Sequence, residues 1–172
     1  MPHDPTPSFT LRAALPADAL AVATVHVRAW QAGYRDLLPA LYLAQLRPEQ
    51  RAARYTFGND DPLAPQTLVA CADSRVLGFA TTVFDGAHAP GELSALHVDP
   101  AHWNSGIGRG LIAAARARLA SAGAREAIVW LLAGNTLALR FYAADGWHDD
   151  GTRREDSVWG VRVAEWRLRR VL

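Results

Sequence analysis

The sequence has no lysine: all 18 of its basic residues are arginine, so it offers no side-chain amine for modification. It has one cysteine, Cys71, which excludes an internal disulfide. Set among Leu68, Val69, Ala70 and Ala72, Cys71 reads as a small core residue rather than a nucleophile. Histidine and cysteine nowhere fall at zinc-ligand spacing, so no metal is expected. No apolar run is long enough to cross a membrane. Met1–Thr10 is proline-rich without an apolar stretch, so no secretory signal is expected and the compartment is expected to be cytoplasmic. Neither sign of charge dominates. A net charge of +1 argues against a nucleic-acid or membrane surface as the main partner. Repeats, low-complexity tracts and linkers are also lacking.

What is present is an ordinary globular composition over 172 residues, half of them hydrophobic. One domain over residues 1–172 is expected, long enough to bury roughly 70% of its unfolded surface. Strands are expected at Phe9–Ala13, Thr67–Asp73, Val76–Phe84, Gly91–Val98, Arg125–Leu132, Trp147–Val158 and Glu165–Val171. Pro16 and Asp18 open a helix running to Trp30, and Pro39 opens a second that reaches Tyr55. A third runs from about Gly108 to Ala122 and is ended by Gly123. A fourth follows Asn135, an N-cap candidate, and stops at Gly146. In the last strand Glu165, Arg167 and Arg169 alternate with Trp166 and Leu168, which predicts one wet face. The order gives an α+β fold: a mostly antiparallel sheet of about seven strands with four helices packed on it.

The stretch AHWNSGIGRGLIAAA, Ala101–Ala115, sets Gly106, Gly108 and Gly110 between a strand and a helix. The first N–H groups of a helix lack intrahelical partners, its dipole adds about half a positive charge there, and glycine lets an anion approach the backbone. A P-loop needs Lys and then Ser or Thr after its last glycine, and Arg109-Gly110 stands there instead. A dinucleotide fingerprint needs a sixth-position glycine, and Leu111 holds that place. A tight turn without a ligand is the third possibility.

The stretch NTLALRFYAADGW, Asn135–Trp147, resembles the N-x-x-A-x-x-F-Y-x-x-x-G-F/W pattern of the GCN5-related N-acetyltransferase (GNAT) superfamily at Asn135, Ala138, Phe141, Tyr142, Gly146 and Trp147. The loop is similar to that family's R/Q-x-x-G-x-G/A at Gly106 and Gly108, and LHVDP, Leu96–Pro100, to the strand leading into it. VRAWQAGYRDLLPALYLAQL resembles a bacterial branch in which this helix pair roofs the acceptor site. The resemblance covers nearly the whole chain. Trp103 departs from the usual Arg or Gln, and Asn104 stands where a glycine often follows.

This resemblance implies a sheet splayed between its fourth and fifth strands, with acetyl-CoA between them as co-substrate. The pyrophosphate is expected on Trp103, Asn104, Ser105, Gly106, Ile107, Gly108, Arg109 and Gly110, and the pantetheine on Leu96, His97, Val98, Asn135 and Ala138. Transfer is implied to be direct, to a small-molecule or peptide amine, by a monomer or homodimer. An amine of pKa about 10.4 is neutral in only about one molecule in 2,500 at pH 7, so a base is needed. Glu92, opening GELSALHV, is the candidate; a solvated strand-end glutamate is the alternative, and His97 or His26 are other candidates. Trp130 stands where some members carry another glutamate. Tyr142 is implied as the acid for the departing thiolate, the alternative being a core aromatic. Trp30, Tyr34, Asp85 and Glu92 are the acceptor-site candidates, with Gln31, Asp36 and His88 nearby. A non-catalytic acyl-CoA-binding module and an unrelated nucleotide-binding domain stay open beside the N-acetyltransferase.

Overall fold

The computed structural model describes residues 8–86 and 89–172. Seven strands form one sheet: β1 (Thr10–Ala13), β2 (Gln66–Ala72), β3 (Arg75–Val83), β4 (Gly91–Val98), β5 (Glu126–Leu132), β6 (His148–Val158) and β7 (Val161–Val171). Their order is β1-β2-β3-β4-β5-β7-β6, and every neighbouring pair is antiparallel except β4 and β5. One face carries α1 (Ala19–Gly33), with the short α2 (Ala40–Gln45) and α3 (Pro48–Ala52) beside it. The other carries α4 (Ile107–Ser121) and α5 (Thr136–Ala144). The largest core cluster lies on that second face, where Ile107, Leu111, Ile112, Ala115 and Leu119 of α4 meet Leu93, Val98, Ala127 and Val129. Cys71 is buried on the α1 side, beside Val22, Val25 and Phe79.

The expected mostly antiparallel sheet is present, with five α-helices instead of four. The helix expected from Pro39 to Tyr55 is two. Pro48 offers no N–H and forces the preceding residue out of the helical region, so Leu46 and Arg47 are extended before α3 restarts. Pro16–Asp18 is a 3-10 first turn that runs directly into α1, with the Asp18 carboxylate accepting from the Leu15 N–H at 2.7 Å as a capping box. The last strand starts at Val161, four residues before the expected Glu165.

The wet face predicted for β7 is wrong where it matters. Glu165 is 5% exposed, because α1 and α2 cover that end of the strand and Arg154 of β6, its cross-strand neighbour, donates to it at 2.6 Å. Between β6 and β7 lies a two-residue turn, Trp159-Gly160, with both residues at positive φ, the conformation that matches the twist of a tight hairpin.

Candidate active site

β4 and β5 pair only at Gly91–Ala127 and Glu92–Ile128 and then diverge. The divergence opens a cleft of about 780 Å3 across the middle of the sheet and leaves the β5-facing edge of β4 without a strand partner from Leu93 onward. The register with β3 slips at Ser94: Leu93 faces Thr82 and Ala95 faces Thr81. This bulge adds one residue to β4 and resets which side each later side chain takes. Leu96 and Val98 join the α4 side, while Ala95 and His97 turn to the α1 side.

The loop at the mouth of the cleft presents mainly backbone. Asn104 and Gly106 both sit in the left-handed region, at φ 61° and 84°. Asparagine is among the few non-glycine residues that adopt it readily, which explains Asn104 where the family often has glycine. Gly106 precedes α4, and a side chain there would meet nothing within 4 Å. The N–H groups of Ile107, Gly108 and Arg109 lead the helix with no carbonyl one turn back.

The other two glycines serve packing. A Cβ on Gly108 would lie 3.2 Å from the Phe141 ring, and one on Gly110 would lie 2.9 Å from the Phe9 ring. Gly110, expected beside the pyrophosphate, lies inside α4, where it makes room for Phe9 and does not line the cleft, and Ile107 offers only its backbone, since its side chain is fully buried. Trp103 supplies no charge. Its indole N–H donates to the Val98 carbonyl at 2.9 Å, taking one of the acceptors at the free end of β4. Ser105 donates to the His102 carbonyl at 2.6 Å. Arg109 is exposed and lines the cleft with Asn104 and Gly108.

On the opposite wall stands α5. Asn135 caps it, its side-chain oxygen accepting from the Ala138 N–H at 3.1 Å, and both residues line the cleft. Tyr142 is held edge-on between Phe141 and Trp147, with centroids 5.2 and 5.6 Å away. Its phenol has no hydrogen-bond partner among the described residues and belongs to the cleft lining. Burial, reinforced by Tyr34 and Asp145, pushes its pKa well above the ordinary phenol value.

Glu92 lies on the other side of the parting strands. It is half-buried, lines the cleft and has neither hydrogen bond nor ion pair among the described residues. Burial raises its pKa; nearby Arg154 opposes that, and Glu165 and Asp156 add to it. Arg154 bridges Glu165 and Asp156 at 2.6 and 3.2 Å, and its guanidinium lies 4.0 Å from the Trp130 ring. Glu165 and Arg154 were missed in the sequence, where no local spacing links them.

The roof is aromatic. Trp30 is buried, stacks on Trp159 at 4.3 Å and touches Tyr34 at 4.9 Å. Burial, then the Glu165 charge, pushes the Tyr34 phenol up to about 12. Trp159, also missed, holds a strained φ of 51° at the hairpin tip while packing over His26 and Arg51. His26 and His97 are buried against each other, and burial drives His97 down to about 3. Asp85 is exposed on the β3–β4 turn and does not line the cleft, because β4 carries the site beyond Glu92 and away from that turn. Asp36 is likewise exposed, and Gln31 is tied to the Leu43 carbonyl at 3.0 Å. His88 lies outside the described residues.

Known proteins resemble this chain in sequence and in fold. Over 83 residues the chain is 41% identical to a mycothiol acetyltransferase of Kocuria rhizophila, a match covering 44% of this chain and 27% of that protein. The chain thus spans about a quarter of the length of the curated relative it matches. A GCN5-related N-acetyltransferase from Rhodopseudomonas palustris superposes with a TM-score of 0.77 at 22% identity, covering 99% of this chain and 100% of that one. PaiA N-acetyltransferase from Thermoplasma acidophilum, solved with coenzyme A, gives 0.72 at 18% identity, covering 96% and 99%. At such identities the likeness is one of fold. Residues 29–147, well over half of the sequence, match the acetyltransferase (GNAT) family, and the chain belongs to it.

Proposed function

We propose that this protein transfers an acetyl group from acetyl-CoA directly to a primary amine, with Glu92 as general base and Tyr142 as acid. One observation carries the proposal: Glu92 and Tyr142 open into the same cleft from opposite sides of the parted strands, Glu92 with its pKa raised toward neutrality and Tyr142 with a phenol that is protonated and without a hydrogen-bond partner among the described residues. The residues fit the co-substrate. The leading N–H groups of α4 and the left-handed Asn104 and Gly106 suit a pyrophosphate, and the free edge of β4 suits the amides of a pantetheine arm. Asn135 keeps its amide N–H groups free for the same arm while its oxygen caps α5.

Acetyl-CoA supplies an acetyl group activated as a thioester. Glu92 takes a proton from the acceptor ammonium, and its raised pKa brings it closer to neutrality than an ordinary carboxylate, which favours a base working near pH 7. Tyr142 stays protonated at its phenolic oxygen and holds that proton for the departing sulfur. Trp30 and Tyr34 hold the acceptor's apolar parts and exclude water. Cys71 is buried on β2 away from the cleft, in keeping with direct transfer rather than an acyl-enzyme.

The test is release of free coenzyme A from acetyl-CoA over a panel of primary amines. Amine-dependent release is expected. Tight binding of acetyl-CoA without release on any amine would leave a binding module of the same fold.

A further inference from the structure

Arginines that leave bulk water in this protein pair with carboxylates: Arg116 with Asp145, Arg167 with Asp150, Arg169 with Glu126, and Arg170 with Asp145. Arginines without a carboxylate partner among the described residues are exposed, with one exception. Arg51, in the last turn of α3, is partly buried, has no ion pair among the described residues, and has a buried Nε with no hydrogen-bond partner. A partly desolvated cation is costly without a counter-charge, and a protein keeps one where something else brings the charge.

Arg51 is also held in place. Its guanidinium carbon lies 4.6 Å from the Trp159 ring and 5.4 Å from the Tyr55 ring. It stands where two cavities meet: the cleft, and a smaller one of about 240 Å3 behind it, which share His26, Ser94 and Ala95 as walls. Glu92 and Glu165 thus flank Arg154 on the β5–β7 side of the cleft, with Asp156 paired to Arg154 beside them. Arg109 and Arg140 are exposed on the α4–α5 side, and Arg51, hydrogen-bonded to Tyr55 but without a carboxylate partner among the described residues, stands toward α3.

We infer that Arg51 is the anion subsite for the acceptor, and that the acceptor is a small amine bearing a carboxylate, its ammonium toward Glu92 and its carboxylate toward Arg51. This rests on the transferase function proposed above. A guanidinium pairs a carboxylate through two parallel hydrogen bonds, the geometry that favours arginine at such sites. A polyamine would set a second ammonium against Arg51, and a neutral amine would leave it unpaired.

The experiment gives the protein acetyl-CoA with α-, β- and γ-amino acids, each beside its carboxamide, and follows thiol release. The acids should be used about ten- to a hundredfold more efficiently than their amides, the range for a hydrogen bond to a charged group. Arg51→Met, which keeps most of the stem, should bring the acid down to the level of its amide through KM, and Arg51→Lys should restore part of the preference. Acetyl-CoA titration and a melting curve check that the variants are folded. Wild-type protein that uses amides as well as acids overturns the inference alone, as does a preference that survives in Arg51→Met. If an Arg51 variant does not fold, the wild-type comparison of acid with amide still decides. Acetyl-CoA bound but no amine acetylated overturns both this inference and the transferase function beneath it.

Discussion

The imidazoles of His26 on α1 and His97 on β4 stack 4.5 Å apart at 28° in the cleft wall, Phe79 packing on both and Trp30 and Trp159 on His26. Burial is the main force holding both neutral, and the Arg51 charge adds to it. A base pushed down to about 3 accepts a proton poorly at pH 7, which leaves Glu92 as the better candidate for that task.

Stability should therefore fall as pH drops below about 6.5. The unfolded chain then binds protons on these histidines and the folded chain does not, so the slope of unfolding free energy against pH is positive. Each fully coupled histidine contributes up to ~1.4 kcal/mol per pH unit. Urea unfolding between pH 7 and 5 measures this, and His97→Gln should reduce the slope. A flat profile in the wild-type protein would mean that the pair is charged or exposed.

Tyr142→Phe should lower kcat and kcat/KM together by about tenfold or more while acetyl-CoA affinity stays near wild type. The ring keeps its contacts with Phe141 and Trp147, and only the proton donor is lost. Single-turnover kinetics check that chemistry limits the rate. An unchanged chemical step would make Tyr142 a packing residue.

Gly106→Ala should weaken acetyl-CoA binding. No atom stands in the way of the new methyl, so the cost comes from holding alanine at φ 84°, about 1–2 kcal/mol, which the free surface loop sheds by leaving the left-handed region and ligand binding must restore. Gly108→Val is a different experiment, because its side chain would press on Phe141 and loosen α4 from α5. Calorimetric titration of both variants, with melting curves, separates the two effects: Gly106→Ala should lose mainly affinity, and Gly108→Val mainly stability.

The strands, α4 and the Asn135 cap were legible because alternation, glycine punctuation and capping chemistry are local signals. Glu165 was misread because the cover over β7 comes from helices more than a hundred residues earlier. Its partner Arg154 joins it only through the hairpin register. Trp159 was within reach: a residue followed by glycine between two strands marks a tight turn, although nothing local says that its ring folds back over His26 and Arg51. Pro48 was enough to split the second helix, and that split sets Arg51 in a separate short helix against the cleft.

The most direct measurement is kcat/KM against pH for the wild-type protein and Glu92→Gln, on the best acceptor of the amine panel. Glutamine keeps the size of the side chain but takes up no proton at neutral pH. The wild-type profile should rise through a group titrating above the ordinary carboxylate value, since burial raises the Glu92 pKa and activity needs its ionised form. Glu92→Gln should be slower at pH 7 by about a hundred- to ten-thousandfold. The deficit should shrink as pH approaches the amine's own pKa, where the acceptor is neutral without help. A Glu92→Gln profile that overlies the wild type at pH 7, with chemistry limiting in both, would contradict the assignment of Glu92 as the base.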